Sequence, residues 1–183
     1  MALSKIDGTN FVDPTLPVAS GGTGAITLAA AGLANTPAFQ AYASADADGT
    51  YATWTKVAFD TELFDTAGAY DHSTNYRFTP QTAGKYFVYT NMKVGSTSSN
   101  QIDNAEISIY KNGSAFKNAN IQSTSTGAEL NRATLTVTSI IDFNGSSDYV
   151  EAYYQVDTST AQNQEFYGSQ LLSSFGAYRI IGV

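Results

Sequence analysis

The feature that most constrains this fold is residues 86–94, YFVYTNMKV, where residue character alternates with period two. Tyr86, Val88, Thr90, Met92 and Val94 share one face, and Phe87, Tyr89, Asn91 and Lys93 share the other. Successive side chains of an extended chain point to opposite sides, so this pattern predicts a strand, and its aromatic and β-branched residues suit a pleated surface. Upstream, TPQTAG (79–84) predicts a reversal after an extended segment at 76–78, because Pro80 cannot donate to a ladder and Gly84 relaxes the backbone. A strand with one face in the core and one in water has no need of Phe87 and Tyr89 on its second face. Something covers that face.

From Pro37 onward the chain repeats this grammar. Residues 38–43, 53–59, 105–110, 115–121, 132–143, 149–156 and 175–183 read as strands. Residues 44–50, 61–68, 95–101, 123–130 and 157–165 read as loops, with Leu63 and Phe64 an apolar anchor inside one of them. Asn112–Gly113 is the strongest hairpin signal, since both residues tolerate positive φ. Eight to ten strands without a long helical period predict an antiparallel sandwich or barrel and exclude α/β nucleotide-binding folds. The 183 residues suffice for one good core. Residues 1–36, broken by Asp-Gly, Asp-Pro, Leu-Pro and a Gly-rich run, read as an attachment or linker segment, and residues 37–183 as a head domain.

With a formal charge of −7 and no basic stripe, the chain is not expected to bind nucleic acid or an anionic membrane. It has no cysteine, hence no disulfide, thiolate nucleophile or Cys-ligated zinc. No apolar window long enough for a membrane span and no cleavable leader pattern is read. The second-face rings Phe87, Tyr89, Tyr149 and Tyr153 leave two readings: partly covered surface tyrosines, or a subunit interface where aromatic contact area concentrates. The interface is preferred.

The order PAFQAYAS, VAFDTELFDTAGAYDHSTNYRFTPQTAGKYFVYTNMKV, EISIYKNGSAF, ATLTVTSIIDFNGSSDYVEAYYQV and SSFGAYRIIGV resembles the C1q/TNF-like globular domain over residues 37–183. The resemblance implies an all-β, ten-stranded antiparallel jelly-roll sandwich that assembles as a homotrimer. It places Tyr86, Phe87 and Tyr89 in the core or around the three-fold axis. The chain lacks the collagen-like stalk and cysteines of animal members. Residues 16–33 contain Gly21, Gly22, Thr23 and Gly24, similar to Gly-Gly-Thr-Gly segments of bacteriophage tail-fibre and other virion proteins. That second resemblance implies a phage fibre or spike on the virion surface, bound to other virion proteins through residues 1–36. A purely structural capsid or tail decoration protein is its alternative.

Catalysis is not expected. His72 is the only histidine and has no Gly-x-Ser-x-Gly partner motif. Asp60, Glu62 and Asp65 could mimic a glycosidase pair, but sequence proximity does not set two carboxylates across a cleft, so a glycan hydrolase ranks last. Asp46 and Asp48 open like an EF-hand loop, yet Tyr51 stands where its glycine belongs and Val57 where its Glu belongs. This leaves a solvated acidic loop or an irregular Ca²⁺ site, with no other cofactor. The hydroxyl- and amide-rich loops carrying Ser96, Asn100, Ser123, Thr126, Thr160 and Asn163 suit a host-surface glycan or protein, or are simple solvated connections.

Overall fold

The computed structural model describes residues 34–97, 102–123 and 130–182. In chain order they form β1 (Ala38–Tyr42), β2 (Ala47–Gly49), β3 (Thr55–Lys56), β4 (Thr61–Asp65), β5 (Tyr70–Asp71), β6 (Arg77–Phe78) and β7 (Gly84–Ser96). There follow β8 (Ile102–Lys111), β9 (Ser114–Gln122), β10 (Arg132–Phe143), β11 (Val150–Thr158), β12 (Gln164–Tyr167) and β13 (Ser174–Arg179). Sheet I runs β2-β12-β7-β13-β1-β4, with β10 on the other side of β7; sheet II runs β5-β6-β11-β8-β9, with β3 against β11. Every strand pair is antiparallel. This is the jelly-roll sandwich expected, its shorter strands broken into separate segments.

β7 holds sheet I together. Its 13 residues pair with β10 along one edge. On the other edge it pairs with β13 over residues 86–91 and with β12 over residues 93–96. The alternating pattern then decides what faces inward. Tyr86, Val88, Thr90, Met92 and Val94 are fully buried, and the four apolar ones belong to one core cluster with Ile107, Ile109, Val150, Ala152, Tyr154 and Val156 of sheet II. Polar groups taken inside find partners, as they must. The Thr90 hydroxyl donates to the Ser174 carbonyl at 2.8 Å. The buried amide of Gln164 accepts from Val156 N–H at 2.6 Å and donates to Thr53 O and Thr55 Oγ1, so it ties β12 to β11 and β3.

Phe39 is the aromatic hub. Its ring stacks on Tyr70 at 4.4 Å and Phe78 at 4.6 Å, and meets Phe175 edge-on at 5.1 Å. The hairpin expected at Asn112–Gly113 is present, with φ of 52° and 79°. Two details differ from the sequence reading. Residues 61–65, read as loop, form β4 on the β1 edge, and Leu63 and Phe64 are exposed and anchor nothing. Edge strands need a backbone ladder on one side only, so their side chains need not show a core pattern.

Phe39→Ala removes a ring 1% exposed and packed on three others. It should cost about 3–5 kcal/mol, read as a lower urea midpoint without change of slope.

Candidate functional site

The site is the outward face of sheet I. Cross-strand register sorts it into rows. One row carries Ile140, Phe87 and Tyr178; the next carries Thr138, Tyr89, Gly176, Gln40 and Phe64. Phe87 lies 5.4 Å from Tyr178 and 6.1 Å from Tyr89, ring centre to ring centre. Ile140 remains 57% and Tyr178 40% exposed, and Phe64 is exposed at the β4 edge. A contiguous aromatic patch on an outer sheet face differs from scattered surface apolar residues and marks an interaction surface. Gly176 makes it flat: a Cβ there would stand 2.4 Å from the Tyr89 hydroxyl, so only glycine lets that ring lie on β13. Burial, and then the neighbouring Tyr178, raises the Tyr89 pKa.

Toward the far end of β7 the same face turns polar. Asn91 sits opposite Ser174, and Lys93 opposite Tyr167. The Tyr167 hydroxyl donates to Glu165 and accepts from Arg132 Nε at 2.7 Å. Lys93 and Arg132 lie over its ring at 5.0 and 5.1 Å.

The four rings named from sequence do not meet. Phe87 and Tyr89 belong to sheet I, whereas Tyr153 is on β11 of sheet II and Tyr149 precedes it. The outward faces of a two-layer sandwich look in opposite directions, so the four cannot share one seam within a chain. On sheet II Tyr153 stacks on Tyr110 at 4.0 Å, with Trp54 5.9 Å from Tyr110, and Arg77 lies 4.5 Å over Tyr149. Beneath them Glu151, 6% exposed, pairs with Lys56 at 3.1 Å. Tyr86, left between core and interface by the sequence, is core.

The described ends of the predicted contact loops lie at one end of the sandwich. β7 ends, β10 begins and β11 ends at one extremity, opposite the end where β1 starts and β13 finishes. There Thr97 donates to the Asn163 carbonyl from both N–H and hydroxyl. Thr160 and Asn163 are exposed, Ser123 half-buried and Ser96 buried; Asn100 and Thr126 lie outside the described residues, as do Gly21, Gly22, Thr23 and Gly24. Asp46 and Asp48 are exposed, and Asp46 Oδ1 is taken by the Gly168 N–H at 2.8 Å. Among the described residues no group of three or more His, Cys, Asp or Glu could hold a metal ion. His72 Nδ1 contacts Glu62 at 2.7 Å, with no serine in the pair, and Asp71 is spent capping the 73–75 turn.

Sequence reasoning missed Tyr178 and Ile140. Ile140–Ile141 was the available signal, because two adjacent apolar residues of one strand cannot both face the core.

No family model and no curated protein matches this chain. Among solved structures it is similar to Eiger TNF from S. frugiperda, with a TM-score of 0.58 at 10% identity over 80% of this chain and 93% of that one. The fold is therefore settled as an all-β antiparallel jelly-roll sandwich of the C1q/TNF-like kind. The same finding overturns the phage reading, because the structure resembled is a TNF and not a virion component. The fibre or spike role, the host-surface contact, the virion location and the virion partners through residues 1–36 all fall with it. The virion setting rested on a short segment whose glycines confer backbone freedom and specify no surroundings.

Burial pushes the hydroxyls of Tyr86 and Tyr153 up to about 12, the latter helped by Glu151. A raised folded pKa means stability is whole below the unfolded value near 10. It is lost as pH climbs toward 12. Chemical denaturation at pH 8, 9 and 11.5 should show stability nearly constant across the first step and falling across the second.

Proposed function

We propose that this chain is a self-associating recognition head, in which three copies pack through the outward face of sheet I and present the 158–163 end to a protein partner. The observation that carries this is the Ile140–Phe87–Tyr178–Tyr89 patch, an aromatic surface outside the core of a domain whose core is already complete. Aromatic residues at a central, water-excluding contact supply most of an interface's binding energy. The fold similarity to a TNF supports a trimer as the closed form.

Geometry supports the division of labour. The loops at the 158–163 end lie away from the end at which residue 38 enters the sandwich, so a tether and a partner would not compete for space. Three identical loop ends held together convert weak single contacts into avidity.

Sedimentation equilibrium should find the wild-type chain trimeric. Tyr89→Ala and Tyr178→Ala should each weaken association by roughly tenfold or more, whereas Tyr110→Ala on sheet II should leave it intact. A monomeric wild type at micromolar concentration ends this reading.

A further inference from the structure

Between β12 and β13 the chain leaves sheet I and comes back. Tyr167 pairs with Lys93 and Ser174 with Asn91, so residues 168–173 span a single step of β7. This excursion is built rigidly. Leu172 and Ser173 N–H groups both donate to the Ser169 carbonyl, and Leu171 N–H donates to Ser169 Oγ at 3.1 Å. The Ser173 hydroxyl donates to Tyr167 O at 2.8 Å and accepts from Lys93 N–H, and Gly168 N–H is held by Asp46. At Gly168 a Cβ would fall 1.9 Å from the Ala45 carbonyl oxygen, so the base of the excursion is also locked against the β1–β2 corner.

Asn91 fixes its direction. That side chain stands on the outward face of sheet I, and its Nδ2 donates to the Leu172 carbonyl at 3.2 Å. The turn therefore rises on the side that bears the aromatic patch. Its tip is Leu171, 92% exposed, far beyond any other large apolar side chain of the described residues. One row separates Asn91 from Tyr89, about 7 Å along the strand. So many bonds spent to hold a bare leucine in water make sense only if the leucine is covered in use.

We infer that Leu171 is a peg that inserts into a second copy of this chain, setting how neighbouring heads seat on one another. This rests on the self-association proposed above. The second copy is the occupant because the peg is continuous with the aromatic patch and shares its face. That face also escapes the chain's acidity: it carries Lys85, Lys93 and Arg132 against Asp48, Asp142 and Glu165 and so is balanced, while the whole chain stands at −7. Copies thus approach where mutual repulsion is least.

The absence of cysteine makes the test direct. Leu171→Cys and, as an exposed reference, Thr160→Cys each create a single thiol for maleimide labelling in the full chain. In the trimer, Cys at 171 should label on the order of tenfold more slowly than Cys at 160, and equally fast in urea. Leu171→Asp should dissociate the assembly, and Leu171→Met should preserve it; the site is exposed in the single chain, so both variants fold. A wild-type trimer in which the thiol at 171 labels as fast as that at 160, and in which Leu171→Asp stays trimeric, overturns the peg and leaves the trimer standing. A monomeric wild type overturns both.

Discussion

β7 carries three ladders at once. Because β10 occupies one edge and β12 and β13 divide the other, its backbone groups are consumed from end to end and its register fixes four strands together. Alternation then does the rest: shifting any partner by one residue would exchange a core face for a solvent face, so register and burial enforce one another. Tyr86, Val88, Met92 and Val94 close the sandwich, and the same register brings Ile140, Phe87 and Tyr178 into line outside it. Core and candidate interface are two consequences of one pairing scheme.

Strand β7, the Asn112–Gly113 hairpin and the long β10 were legible because each depends on local chemistry: a period, a positive φ, a run of β-branched residues. What escaped was set across strands. β4 reads as loop because its membership in sheet I depends on the β1 backbone and not on its own side chains. Tyr178 and Gly176 acquire meaning only when β13 lies beside Phe87 and Tyr89. Period two correctly put Tyr149 and Tyr153 on a noncore face, but a period within one strand cannot say to which layer that strand belongs. The Gly-Gly-Thr-Gly segment failed differently, as a short motif read for its company and not for a contact.

The two outer faces use their aromatics in different ways. On sheet II each ring is answered within the chain, Tyr153 by Tyr110, Tyr149 by Arg77, and the charge below by Lys56. Such pairs stabilise the sheet surface by cross-strand contact and need no partner. On sheet I, Tyr89 lies down on a glycine and Ile140 stands open, so the stacking is directed along the surface and leaves an apolar plane unanswered. The asymmetry, rather than the number of tyrosines, distinguishes an interface from a well-packed exterior.

That asymmetry also favours a ring over a face-to-face pair. The sheet I surface is divided, with its apolar rows toward the start of β7, and Lys93, Arg132 and the Leu171 excursion toward the end. In a two-fold dimer residue i of one copy meets j of the other and j meets i, so the one face would have to supply both the excursion and the surface that receives it. A head-to-tail contact instead sets the excursion and rows of one copy against a different surface of the next, and such contacts close when the rotation between copies divides a full turn. On the opposite flank, β9 and the edge of β10 offer that different surface: β9 pairs with β8 alone, β10 with β7 alone, and Phe116 and Ile121 are exposed along β9. In the self-association proposed above, the flat aromatic face and the open flank are the two halves of one cyclic contact.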